Sequence, residues 1–311
     1  MTDISMRFGR PTSNEVSVVE KLALAGLRVA SSALQPTHFK GYGRIANILR
    51  RVAPQRHVVL ELDGDCLFRF PFADAYWSRL SAQSVVYEPE ILALFQLLRG
   101  ESYALIDCGA NFGYWSILAS GKALGSDRVL AIEASGRNVR ELAANASLNG
   151  NRFDVLHAAV AQEDGGVVTL GGPTHEGLAI VDAASAGKDA ETVACMSLDG
   201  IVRRTPWLDR SERFVLKLDV EGVEEAALRG AKDLLERNTL LIYEEQGSDR
   251  VHGNTRYVSQ TLAMTVFVFR DGKYRKSANP IADVAAMKTN SRRGYNVVAT
   301  KSDYWLERLT A

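Results

Sequence analysis

Cysteine is scarce: Cys66, Cys108 and Cys195 are the only three in 311 residues. Their spacing makes no paired metal motif and no even disulfide set, so zinc modules and disulfide scaffolds are excluded and a reducing, cytoplasmic setting is expected. A basic leader followed by an unbroken apolar stretch and a small-residue cleavage site is also missing, and secretion is not expected. The most apolar early segment, 16–34, carries Glu20, Lys21 and Arg28 and is too interrupted for a membrane span. Net charge is absent too, with 37 Lys and Arg against 37 Asp and Glu. Nothing in that balance draws nucleic acid, and no nucleic-acid partner is expected. Acid is missing locally as well: 21–60 holds seven basic residues and no Asp or Glu. A solvated basic face is the plain reading, and a surface for an anionic acceptor or a peripheral membrane contact is the functional one.

What remains is a chain that can bury a sizeable core, without internal repeats or low-complexity tracts. Val18, Leu22, Ala25, Val29 and Ala33 recur at helical spacing, which predicts a helix packing that stripe on the main body. After a break at Pro36, Gly41 and Gly43, residues 57–72 read as a hairpin turning at Asp63 and Gly64. A helix over 89–98 follows. From Tyr103 onward short apolar strands alternate with helical segments, which implies a doubly wound α/β domain. The division expected is an N-terminal helical and hairpin extension over 1–86, serving acceptor or oligomer contact, and a main domain over 87–311. Residues 164–188, rich in glycine and alanine, suggest a functional loop, and 273–294 a long polar hairpin connection between two late strands.

In "ALIDCGANFGYW" an apolar strand ends at Asp107, and Gly109 and Gly113 let the backbone approach a ligand at the strand tip. A carboxylate there repels a pyrophosphate and suits a cationic or hydroxyl-bearing ligand. Glu133 ends the next strand, where an acidic residue accepts hydrogen bonds from ribose hydroxyls. The dinucleotide pattern G-x-G-x-x-G is absent, which disfavours NAD. S-adenosylmethionine, with ribose, adenine and a sulfonium cation, matches these residues. Asn138, Asn145 and Asn149 read as helix-face or capping residues rather than ligands.

"IDCGANFGYWS", "AIEASGRNVRELAANASLNG" and "FVLKLDVEGVEEAALRGAKDLLE", with "YEPE" and "SLDGIV" beside them, resemble the FkbM-type family of S-adenosylmethionine-dependent methyltransferases over about 87–246. The proline usual after the second-strand Glu is Ala134 here, and the one usual before the fifth strand is replaced near Thr239. The resemblance implies a Rossmann-like class I methyltransferase fold with a mostly parallel seven-stranded sheet and a late antiparallel strand. It also implies O-methylation of a sugar, glycan or glycosylated natural product, and a cofactor site drawn from Glu88, Asp107, Gly109, Asn111, Gly113, Tyr114, Glu133, Ala134, Ala159 and Asp219.

Methyl transfer to a hydroxyl needs an aligned acceptor oxygen and a group to take its proton. Alternation in "VLKLDVEG" puts Lys217, Asp219 and Glu221 on one side of a strand end. With Glu245 and His175 these are the catalytic candidates, His252 being a rival base and His157 a core or cleft-wall residue. Glu244 and Glu245 stand in an unsettled register. The carboxylates together offer hard oxygen ligands for Mg²⁺. A homo-oligomer is compatible with the chain, and so are two other readings: a non-catalytic binding or scaffold protein and an NAD(P)-linked oxidoreductase.

Overall fold

Strand alternation sorts the residues of one large sheet between two apolar layers, and the chain reaches that sheet after an N-terminal unit. In the computed structural model, which describes residues 3–7, 10–11, 16–82, 84–126, 128–171, 179–181 and 190–310, this unit comprises strands β1 (Ile4–Arg7) and β2 (Arg10–Pro11), helices α1 (Val18–Leu34) and α2 (Tyr42–Leu49), and strands β3 (His57–Glu61) and β4 (Leu67–Pro71). The expected hairpin is present as the antiparallel pair β3 and β4, in a small sheet ordered β2-β1-β3-β4.

Helix α1 starts at a capping box: Glu20 N–H donates to Ser17 Oγ (3.2 Å), and Ser17 N–H donates to Glu20 Oε2 (2.8 Å). The side it buries is not the stripe expected from spacing. Glu20, Ala23, Leu24, Leu27 and Ser31 face inward, whereas Val18, Leu22 and Val29 are 72%, 68% and 65% exposed. Two polar anchors hold this face inward. Arg56 donates to Glu20 Oε1 at 2.9 Å, and Ser31 Oγ donates to the Arg79 carbonyl at 2.7 Å. Ala23, Leu24 and Leu27 fill the core from this face, and the Arg56 pair keeps Glu20 from being buried there without a partner.

Helix α3 (Pro89–Leu97) leads into β5 (Ala104–Cys108), α4 (Tyr114–Ala119), β6 (Arg128–Glu133), α5 (Gly136–Leu148) and β7 (Asp154–His157). The short strands β8 (Ala159–Val160), β9 (Val167–Gly171), β10 (Ala179–Val181) and β11 (Glu191–Met196) form a second small sheet, so the expected loop over 164–188 is partly strand. His175 lies outside the described residues. Then come α6 (Leu198–Arg204), α7 (Pro206–Asp209), β12 (Arg213–Leu218), α8 (Glu224–Arg229), α9 (Lys232–Glu236), β13 (Asn238–Gln246), α10 (Gly253–Arg256), β14 (Thr265–Arg270), β15 (Lys273–Lys276), α11 (Pro280–Met287), β16 (Gly294–Thr300) and α12 (Asp303–Thr310).

The large sheet has eight strands in the order β15-β14-β16-β13-β12-β5-β6-β7. From β13 to β7 all pairings are parallel, and β16 is antiparallel to β13 and β14. The fold is the expected doubly wound one with a late antiparallel strand. The count is corrected from seven to eight because the polar stretch after β14 contains β15 and α11 rather than a bare connection. Leu105, Val129, Val215 and Ile242 pack in one apolar cluster, and Ile106, Leu130, Leu216 and Tyr243 in the other, as burial of both sheet faces requires. The first cluster runs without a break into Ile4, Leu27, Phe68 and Phe70, so the N-terminal unit shares the core of the main sheet.

Asn145 and Asn149 join the two parts. Asn145 Oδ1 accepts from Arg69 N–H (2.7 Å) and its Nδ2 donates to the Arg69 carbonyl (2.9 Å). Asn149 does the same to Leu67, at 2.9 Å and 2.7 Å. Helix α5 thereby satisfies the free edge of β4, which would otherwise present unpaired backbone groups.

Candidate active site

The strand order reverses between β5, whose next strand β6 lies on one side, and β12 on the other, and ligands of such sheets bind outside the carboxyl ends of the strands at that point. A cavity of about 280 Å³ opens there, lined from the ends of β5, β6, β12 and β13. Six carboxyl groups, those of Glu88, Asp107, Glu133, Asp219, Glu221 and Glu244, face it together with one ammonium, that of Lys217.

Register explains the grouping. Lys217 is the parallel partner of Asp107 across β12 and β5, and of Ile242 across β12 and β13. Directly paired residues project to one face, so Asp219 and Glu244, each two residues on, emerge beside Lys217. The Lys217 ammonium is 3.1 Å from Asp219 Oδ2 and 3.9 Å from Asp107 Oδ1. Burial alone would lower its pKa, but Asp219, Asp107 and Glu88 outweigh burial and raise it, so the group stays charged. Asp107 accepts from Ser116 Oγ at 2.6 Å, and its Oδ1 has no hydrogen-bond donor among the described residues. Burial raises its pKa against the pull of Lys217.

Backbone donors hold Glu133 in place. Ser135 N–H donates to Oε1 at 2.9 Å and Asn111 N–H to Oε2 at 2.8 Å. Burial nevertheless raises its pKa. Gly109 sits where a β-carbon would overlap the Asp219 carbonyl, so the β5 turn and the end of β12 meet only through glycine. Three non-glycine residues that line the cavity, Glu88, Asn111 and Glu221, hold left-handed backbone (φ 41°, 52° and 48°). Strain of that kind persists where surrounding structure imposes it, and it concentrates at functional sites.

Glu88 Oε2 accepts from Trp115 Nε1 (2.6 Å) and Oε1 from Asn296 Nδ2 (3.1 Å). Desolvation pushes its pKa up to about 7, Asp219 adding to the rise and Lys217 opposing it. Glu244 is pushed up to about 9 by desolvation and by Asp219, Glu221 and Glu88. Its side chain lies where a β-carbon on residue 294 would stand, so Gly294 makes room for it. An aromatic wall closes the same side: Trp77 and Tyr114 stack at 5.8 Å, and the Tyr76 and Tyr87 hydroxyls are 3.0 Å apart. Glu88, Glu244, Tyr76, Trp77 and Tyr87 also line a second, outer cleft of about 770 Å³.

Of the sequence candidates, Glu88, Asp107, Gly109, Asn111, Tyr114, Glu133, Ala134, Ala159, Lys217, Asp219 and Glu221 line the inner cavity. Gly113 does not. It caps α4 in left-handed backbone (φ 87°), and a β-carbon there would press on Leu142 Cδ1 at 2.6 Å. Glu245 is corrected likewise: alternation turns it to the opposite sheet face, where it meets Lys288 Nζ at 3.1 Å and accepts from Thr255 N–H at 2.6 Å. His252 is buried against the same Lys288, 3.2 Å from its Nζ, and does not line the cavity. His157 is exposed on β7, its Nε2 2.9 Å from the Ala134 carbonyl, rather than in the core. The carboxylates do not converge on a cation site: among the described residues no group of three or more His, Cys, Asp or Glu has metal-holding geometry, so the expected Mg²⁺ finds no support. Tyr76 and Trp77 escaped sequence reading, their one signal being two adjacent aromatics in an irregular segment after β4.

No described helix is long and apolar enough to cross a membrane. Among curated proteins none matches the chain. Among solved structures it is similar to methyltransferase FkbM from Methylobacillus flagellatus KT at 13% identity and TM-score 0.41, covering 91% of this chain and 55% of that one. It thus spans about half of that protein. A precorrin-6y C5,15-methyltransferase from Geobacter metallireducens GS-15 (11% identity, 71% and 92% covered, TM-score 0.39) and an rRNA methylase from Streptococcus thermophilus (10% identity, 71% and 100% covered, TM-score 0.36) are also similar. The description "Methyltransferase FkbM domain" matches residues 107–275. That span is more than half of the sequence, and the chain belongs to the FkbM-type methyltransferase family.

Proposed function

We propose that this methyltransferase transfers a methyl group from S-adenosylmethionine to a hydroxyl of a sugar, glycan or glycosylated natural product. The observation that carries the reading is the carboxyl-rich lining of the inner cavity: six carboxyl groups stand against one ammonium, and those pushed upward, Glu244 and Glu88, ionise when a cation enters, which suits a cationic, hydroxyl-rich ligand and opposes a pyrophosphate. When bound, S-adenosylmethionine supplies an electrophilic methyl carbon on a sulfonium. Glu133, held by two backbone amides, is oriented to accept from ribose hydroxyls, and Asp107 Oδ1 has acceptor capacity to spare. Lys217 holds Asp219 in place beside them, its ammonium 3.1 Å from Oδ2.

The outer cleft supplies the acceptor side. Tyr76 and Tyr87, half-buried, give its wall aromatic edges and hydroxyls beside the buried Trp77, and Glu244 and Glu88 line both cavities. Both oxygens of Glu88 already accept hydrogen bonds, which makes it a positioning group. Glu244 is the proton acceptor by position: pushed up to about 9 it is protonated in the empty cavity, and a bound cation lowers that pKa and frees the carboxylate to take the hydroxyl proton.

Incubation with methyl-labelled S-adenosylmethionine and a panel of glycans and glycosylated natural products tests the reading, with mass spectrometry of the products. One added methyl group on a sugar hydroxyl, lost in Glu244→Gln even at saturating cofactor, is the expected result. Methylation of nitrogen or carbon acceptors only would sink the O-methyl assignment.

A further inference from the structure

Seven of the eleven exposed large hydrophobic residues among the described ones fall within 18–52: Val18, Val19, Leu22, Val29, Ile45, Ile48 and Val52. On α1 the outward side is apolar along its length, since Val18, Leu22, Ala25, Val29 and Ala33 share one helical face and that face is turned to solvent. Helix α2 packs beside it, Gly26 lying against Leu49, and α2 leaves Ile45 and Ile48 outward. A patch of this concentration is a docking surface in search of its occupant.

Charge identifies the occupant. Between 16 and 60 the sole acidic residue is Glu20, buried and neutralised by Arg56. Lys21, Lys40, Arg44 and Arg51 are exposed around the apolar residues, with Arg28 and Arg50 partly so. A second copy of the chain is disfavoured, because a two-fold interface would set this positive face against itself. A phosphate backbone would use the cations but leave the aliphatic stripe unexplained. We propose that the α1–α2 face docks on an anionic lipid bilayer, Val18, Leu22, Val29 and Ile48 entering the headgroup boundary and the basic residues meeting lipid phosphates and carboxylates. The connection between the two helices carries Phe39 and Lys40 into the wall of the outer cleft, so the docking unit and that cleft are continuous.

The test is co-sedimentation of the full chain with vesicles of phosphatidylcholine alone and with about 30 mol % phosphatidylserine. Binding at least about tenfold stronger to the anionic vesicles, and weakened by salt, is expected. The double variant Arg44→Glu/Arg51→Glu should cut that binding about tenfold or more, and so should Leu22→Glu/Val29→Glu. All these side chains are at least partly exposed, and unchanged near-ultraviolet circular dichroism confirms the fold. Equal partition to both vesicles, or none, overturns the proposal. Concentration-dependent dimers that Leu22→Glu dissolves would assign the face to a second copy and overturn it equally.

Discussion

The β-carbon position of Gly109 falls on the carbonyl oxygen of Asp219, so the turn after β5 and the end of β12 are in backbone contact. That contact sets how close the two strand ends come, and with it the placement of Asp107, Asp219 and the Gly109–Ala110 backbone around the cavity. Gly109 also has φ 74°, a region costly for other residues. Gly109→Ala should therefore destabilise the fold by about 3 kcal/mol or more, through overlap and strain together. Equilibrium urea unfolding measures it, and a change under about 1 kcal/mol would show the strand ends able to part.

Lys217 opposes three carboxyl groups at once, and its removal leaves them facing each other without a cation. Lys217→Met should cost about 3–5 kcal/mol at neutral pH, the penalty of an uncompensated buried charge. Asp107 and Glu88, whose pKa values burial raises, take up protons first on acidification, so the deficit shrinks as pH falls. Paired unfolding curves of the two proteins across pH read this directly, and a deficit independent of pH would contradict the electrostatic origin.

How much of the site could be read in the sequence depended on whether a residue's direction is set locally. Asp107 and Glu133 stand at the ends of apolar strands, and alternation alone groups Lys217 with Asp219, so these positions follow from short-range pattern. Between Glu244 and Glu245 no local signal decides, because β13 is buried on both faces and has no polar side to mark its phase. Only the register of β13 on β12 selects Glu244. The face of α1 is hidden for a related reason: the stripe of Val18, Leu22 and Val29 is the more regular pattern, yet Ala23, Leu24 and Leu27 go inward together with Glu20, whose partner Arg56 is distant in sequence. Tyr76 and Trp77 reach the cavity from an irregular segment whose path no periodicity describes.

The two neighbouring glutamates of β13 should consequently behave in opposite ways. Glu245→Gln leaves the buried ammonium of Lys288 without its carboxylate and should cost about 3–5 kcal/mol in unfolding experiments. Glu244→Gln removes a carboxyl that its neighbours repel, so stability at pH 8 should hold or rise while methyl transfer is lost. Swapped outcomes would mean that the register of β13 is shifted by one residue.

Glu244 also dictates how stability and cofactor binding respond to pH. Its pKa in the fold is about 9 against 4.5 for the ordinary group, and that of Glu88 is about 7. The folded state thus binds more protons than the unfolded state between these values, and stability present below pH 4.5 is lost as pH rises toward 9. The ligand-free protein should show a melting temperature that declines over this window, and Glu244→Gln should flatten the part above pH 7. A sulfonium in the cavity acts in the other direction, because it favours the ionised carboxylates. S-adenosylmethionine should bind more tightly at pH 8.5 than at pH 6.5, by about tenfold for each full proton released per pH unit as an upper limit, and should expel protons as it binds. Calorimetric titration in buffers of different ionisation enthalpy counts those protons. Sinefungin, whose amine is positively charged, should share the pH dependence, and S-adenosylhomocysteine, which lacks the sulfonium, should show less of it. Equal pH dependence for all three would remove the cationic centre from the account of what the six carboxyl groups are for.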